Sequence, residues 1–142
     1  MTKFKLFLAT LLFGVSTSVF ADVTEIGNQA LQKLLDEGVA VVDVRRLDEW
    51  QQTGVIDGAH LLTFFDKQGR YNAKQWLDEL AGIAPNGAPV VLICARGVRS
   101  KSIAKLLDKQ LGFEGVHNHT RGMLHWIDKG LPVVPYPAQL KK

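Results

Sequence analysis

The sequence predicts an α/β fold: a single domain with a central, mostly parallel five-stranded sheet flanked by helices. Three observations carry this. Short apolar runs alternate with amphipathic stretches along the chain. Two of the runs, residues 39–44 and 89–93, are almost continuously apolar, as strands buried on both faces are. Turn residues, above all glycine, punctuate most of the boundaries.

Each element follows in order. Residues 23–26 read as a short first strand. Residues 28–37 set Leu31, Leu34 and Leu35 at helical spacing and stop at Gly38. The buried run 39–44 is broken only by Asp43. Residues 47–52 read as a short helix, 54–58 as a turn and 59–62 as a strand. After a polar connection, Asn72 caps a helix over 73–80, with Trp76, Leu77 and Leu80 inward. Two glycines and two prolines make 82–89 a loop before the second buried strand. Residues 100–111 form a helix with Ile103, Ala104, Leu106 and Leu107 inward, ended by Gly112. A fifth strand at 115–118, a last helix at 121–129 and a proline-rich tail complete the chain.

The first 21 residues read differently. Lys3 and Lys5 without any acid, an apolar run over 6–19 and the exit Val19-Phe20-Ala21 have the form of a secretory signal, cleaved after Ala21. The run of about 14 residues falls short of the roughly 20 that a spanning helix needs; a retained anchor is the alternative. Residues 22–142 then form one exported, periplasmic domain large enough to bury its own core. Losing the two lysines lowers the net charge from +3 to +1. That excludes an electrostatic footprint for nucleic acid. No later run is long enough to insert stably into a membrane.

One cysteine stands in the whole chain. It cannot form an internal disulfide, so in an oxidising compartment it suggests a reactive thiol or an intermolecular bridge. An inert buried cysteine is the plain alternative. The setting favours reactivity. Cys94 directly follows a buried strand, and Cys94-Ala95-Arg96-Gly97-Val98-Arg99 leads into a helix predicted to start at Ser100. Ligands of open α/β sheets sit beyond the carboxyl ends of the strands. A short loop entering a helix aims several N–H groups at one spot, and the helix dipole adds partial positive charge. Arg96 and Arg99 add two full charges. These features stabilise a thiolate and attract an anion, which makes Cys94 a candidate nucleophile.

This loop, through Ser100, resembles the active-site loop of the rhodanese family of sulfurtransferases. Val41-Val42-Asp43-Val44-Arg45, followed by Glu49-Trp50, is similar to a second segment of that family. Gly54-Val55-Ile56-Asp57-Gly58-Ala59 is similar to its turn, and Gly122-Met123-Leu124-His125-Trp126 with Gly130-Leu131-Pro132-Val133 to its closing segment. The chain looks most like the exported, single-domain type found among phage-shock proteins. Val55, Asp57 and Met123 depart from the family pattern. Glu49 stands where some two-domain relatives carry an arginine that binds thiosulfate.

The resemblance implies a rhodanese-like domain and a two-step sulfur transfer. The Cys94 thiolate takes the outer sulfur of thiosulfate, or of a persulfide donor, and passes it to cyanide or a thiol. Backbone N–H groups of Ala95, Gly97, Val98 and Ser100 would cradle the persulfide, while Arg96 and Arg99 would hold the donor. No metal or organic cofactor is implied. The implied partners are a small-molecule sulfur donor and acceptor, with a sulfur-accepting protein as a further possibility. Two alternatives remain: a phosphatase or arsenate reductase on the same fold, whose loop is one residue longer, and a non-catalytic persulfide carrier serving a partner protein.

Asp43 and Arg45 have two readings. One is a charged layer beneath the loop. The other, preferred, is structural ion pairing, with Arg45 and Glu49 one helical turn apart. His60, His117, His119 and His125 have no metal-ligand spacing, although alternation puts His117 and His119 on one strand face, where a two-ligand site is conceivable. Trp50, Trp76 and Trp126 read as core.

Overall fold

A computed structural model describes residues 23–111 and 113–136. Residues 1–21, read above as a secretory signal, the expected cleavage point after them and the expected stop residue Gly112 lie outside the described residues. Five strands alternate with five helices: β1 Thr24–Ile26, α1 Asn28–Asp36, β2 Ala40–Asp43, α2 Leu47–Thr53, β3 His60–Leu61, α3 Ala73–Ile83, β4 Val90–Ile93, α4 Val98–Leu111, β5 Val116–His119 and α5 Gly122–Asp128. A single 3-10 turn, Pro85–Gly87, lies in the predicted loop before β4. Within the described residues, no helix is long and apolar enough to cross a membrane.

The sheet is parallel throughout, in the order β1-β5-β4-β2-β3. Side chains of a strand alternate between faces, and the central strand shows it. Val90, Leu92 and Cys94 join one core with Trp76, Leu80, Ile103 and Leu107 from α3 and α4. Val91 and Ile93 join the other with Leu31, Met123 and Trp126 from α1 and α5. Trp50, Trp76 and Trp126 are all buried. The Asn72 side chain accepts the Gln75 N–H at 3.2 Å and so caps α3 as the sequence predicts.

Of the three residues that depart from the family pattern, Val55 and Met123 are buried and Asp57 is exposed. Val55 is buried and pairs antiparallel with Val134, exchanging backbone hydrogen bonds of 2.8 and 2.9 Å. Gly54 lies at φ 78°, and a Cβ there would stand 2.7 Å from the Val134 carbonyl oxygen. Met123 is fully buried.

The strand-face pairing of His117 and His119 does not make a ligand site. His119 accepts the Gly122 N–H on Nδ1 at 2.9 Å, which leaves Nε2 to donate to Asn28 Oδ1 at 2.8 Å. Both nitrogens are used, and no cluster suited to a metal occurs among the described residues. Burial, with His125 nearby, pushes His119 down to about 4. Protonating Nδ1 would also remove the acceptor of the Gly122 N–H. As pH falls below 6.5 the unfolded chain takes up a proton that the fold refuses until about pH 4. Stability is therefore expected to fall across that window by about 3 kcal/mol. Denaturant titrations at pH 7.5 and 4.5 check this: His119→Asn should be less stable at the higher pH yet lose less on acidification. Equal losses would remove His119 from the account.

Candidate active site

The site lies where β2 and β4 end side by side, Asp43 being in register with Ile93. The loop from Cys94 to Gly97 leaves β4, and α4 begins at Val98, two residues before the predicted start. Ser100 therefore sits within the first turn of the helix, fully buried and facing back at the cysteine. Its Oγ donates to Cys94 Sγ at 3.3 Å, and the Gly97 N–H donates to the same sulfur at 3.1 Å. Two donors converging on one sulfur at a helix N-terminus stabilise negative charge there.

The loop is clamped from behind. Met123 N–H donates to the Cys94 carbonyl at 2.8 Å and Leu124 N–H to that of Ala95 at 3.0 Å. Asn118 Nδ2 donates to the Gly97 carbonyl at 3.3 Å and to Glu25 Oε2 at 2.9 Å. Burial pushes the Glu25 carboxyl up, but bonds from Lys101, Asn118 and Thr120 outweigh it and hold it low. The carboxylate thus keeps its charge and its grip on Asn118.

Cys94 opens into a cleft of about 500 Å³ lined by Arg45, Glu49, Thr53, Arg96, Val98, Arg99 and Leu124, among others. The sequence groups Arg96 and Arg99 together, but the structure separates them. Arg99 is forked onto Glu49, with Nη1 to Oε2 at 2.9 Å and Nη2 to Oε1 at 2.6 Å. Arg96 is exposed and, among the described residues, has no ion-pair partner. Val98 projects into solvent at the mouth of the cleft, 75% exposed.

The proposed pairing of Arg45 with Glu49 does not form. Arg45 turns back on Asp43, with Nε to Oδ1 at 2.9 Å and Nη2 to Oδ2 at 2.7 Å, both residues buried. Its remaining donors reach Thr53 Oγ1 at 2.8 Å and the Gly54 carbonyl at 3.0 Å. Asp43 lies two residues away at the end of a rigid strand, so it captures the guanidinium before the helix can. Breaking such a buried pair costs about 3–5 kcal/mol, so Asp43 and Arg45 form a structural floor to the cleft. Sequence reasoning missed the pairing of Glu49 within the cleft. Its partner is 50 positions away, and only the missing arginine at its position pointed to it.

The sequence profile of the rhodanese-like domain matches residues 28–129. The chain belongs to the rhodanese-like family. A curated relative, rhodanese-like domain-containing protein 17 of Arabidopsis thaliana, is 31% identical over 118 residues, covering 80% of this chain and 74% of its own. Thiosulfate sulfurtransferase GlpE of Actinobacillus pleuropneumoniae is 32% identical over 111 residues, covering 78% of this chain and 92% of its own. Among solved structures, the polysulfide-sulfur transferase homodimer of Wolinella succinogenes superposes with a TM-score of 0.62 at 25% identity, covering 85% of each chain. Family membership supports sulfur transfer as the general chemistry of this rhodanese-like domain.

Proposed function

We propose that this rhodanese-like protein transfers a sulfane sulfur from thiosulfate, through a persulfide on Cys94, to cyanide or a thiol. The observation that carries the reading is the convergence of the Gly97 N–H and the Ser100 hydroxyl on Cys94 Sγ at the base of a cleft bearing an unpaired arginine. The Cys94 thiolate attacks the outer sulfur of thiosulfate. A new S–S bond forms, the old one breaks, and its electron pair leaves with sulfite. The persulfide stays anionic, so the donors that served the thiolate also serve it. Cyanide or a thiolate then attacks the terminal sulfur and the Cys94 thiolate is restored. No metal or organic cofactor takes part in either step. The N-terminal segment supports a second element of the proposal: the protein is exported to the periplasm and cleaved after Ala21.

Intact-mass measurement after thiosulfate treatment tests the reading. The protein should gain one sulfur atom and lose it on addition of cyanide, with thiocyanate released. A chain that gains nothing from thiosulfate, or from any persulfide donor, would refute it.

Arg96 is the guanidinium free to meet an incoming anion. Charge-assisted hydrogen bonds of this kind contribute about 1.5–3 kcal/mol. Arg96→Ala is therefore expected to lower the thiosulfate kcat/KM roughly tenfold to a hundredfold, with Arg96→Lys in between. Initial rates at several thiosulfate concentrations measure it, and a rate unchanged in Arg96→Ala would leave anion binding to the loop backbone alone.

A further inference from the structure

The cleft carries a carboxylate where an anion has to enter. Glu49 reaches it from α2, and its fork onto Arg99 takes up the end of that guanidinium. Burial pushes the Glu49 carboxyl up, yet bonds from Arg99 and the Arg46 backbone, with the charges of both arginines, bring it down to about 2. It is therefore ionised at every pH at which the protein would work. Arg99 is correspondingly held in its charged form by Glu49.

Arg45, Arg96 and Arg99 line the cleft. Against them stand Asp43 beneath Arg45, Glu49 on Arg99 and the reacting Cys94 thiolate. The three positive and three negative charges cancel. Beyond the lining, Arg46 lies between Asp48 at 3.3 Å and Glu49 at 3.6 Å, and Asp48 is also 3.7 Å from Lys67. A dianionic donor thus enters a cleft whose lining side chains, with Asp43 beneath them, carry no net formal charge, and it can recruit Arg99 only by displacing a carboxylate already held in two hydrogen bonds.

We propose that Glu49 is a specificity-determining residue of the Cys94 cleft: by occupying Arg99 it disfavours dianionic sulfur donors relative to singly charged ones. The inference rests on sulfur transfer through Cys94. Thiosulfate remains a donor, held by Arg96 and the loop, but one of weak affinity. The structure carries no comparable bar to a monoanionic donor, which needs one cation and finds it in Arg96.

Two donors of nearly one shape isolate the charge. Thiosulfate is a dianion, and methanethiosulfonate, with a methyl in place of one oxygen, is a monoanion. Each gives its outer sulfur to the Cys94 thiolate, leaving as sulfite or methanesulfinate with the electron pair of the broken S–S bond. The measurement is the ratio of kcat/KM for thiosulfate to that for methanethiosulfonate. Glu49→Gln keeps a side-chain oxygen able to accept the Arg46 N–H but removes the charge. It is expected to raise the ratio on the order of tenfold, mainly through a lower KM for thiosulfate. Glu49→Asp, which keeps the charge, should leave the ratio near that of the wild type even if both efficiencies fall. In the double variant Glu49→Gln, Arg99→Gln the gain should vanish, since the released cation is gone.

A ratio unchanged or lowered in Glu49→Gln, in protein that still loads sulfur on Cys94, overturns the proposal. So does a gain that persists in the double variant. Failure of the wild type to load sulfur from either donor would instead overturn the sulfur-transfer reading beneath it, and intact mass separates the two failures.

Discussion

Cys94→Ser is expected to abolish sulfur loading and thiocyanate formation, with a loss of at least about a thousandfold. The chain holds a single cysteine, so no other thiol can form a persulfide in its place. A serine hydroxyl at the same spot would keep the Gly97 and Ser100 contacts but is barely ionised at neutral pH, and it is a far poorer nucleophile toward sulfur. Volume changes little at a site that is 1% exposed, so folding should survive and a melting curve would show it. Ser100→Ala is the graded companion. It removes one of the two donors on the sulfur, and turnover should fall roughly tenfold to a hundredfold while the persulfide still forms. Thiocyanate production by well-folded Cys94→Ser at the wild-type rate would place the nucleophile outside this cleft.

The fold was legible because its signals are local. The runs that became β2 and β4 are apolar on both faces, and the helices around them carry apolar stripes that meet those faces. Boundaries shifted where a local signal was ambiguous. Nothing in the Val98 side chain marks a helix start, yet α4 begins there and brings Ser100 within reach of the sulfur. Cys94 was legible for the same local reason: a strand, a glycine loop and a helix follow one another in a few residues. Long-range pairing was not. The sequence offered Glu49 as a partner for Arg45 four residues earlier, but strand geometry aimed Arg45 at Asp43, and Glu49 found Arg99 across the cleft. The same limit hid the bridge between Val55 and Val134, which no spacing rule connects. A pairing of charges fixes the cleft's electrostatics, and pairing is a property of the folded topology, invisible in the local pattern that reveals the elements.

Gly97→Ala is expected to cost about 2–4 kcal/mol of stability and at least roughly a hundredfold in sulfur transfer. Gly97 sits at φ 85°, a left-handed conformation that side chains with a Cβ resist. Space is the harder constraint. A Cβ there would stand 2.0 Å from the Thr120 carbonyl oxygen, 2.5 Å from its carbon and 2.9 Å from the His119 carbonyl oxygen. These are backbone atoms, so no rotamer change relieves the clash, and either the loop or the junction of β5 with α5 has to move. Moving the loop takes the Gly97 N–H off Cys94 Sγ and breaks the bond from Asn118 to the Gly97 carbonyl. Moving the junction disturbs α5, whose first N–H groups hold the Cys94 and Ala95 carbonyls. Either route loosens the donors that stabilise the anionic sulfur, so activity should fall further than the stability loss alone requires. Gly69→Ala is the control, at φ 76° but with nothing within 4 Å of the new Cβ. It should show the conformational strain, about 1 kcal/mol, without the loss of sulfur transfer. Thermal unfolding and the rate of mass gain from thiosulfate, measured on both variants, separate the effects. Wild-type loading by Gly97→Ala would mean that the cradle around Cys94 tolerates a shift of its backbone, and that the Gly97 N–H contributes little to holding the persulfide.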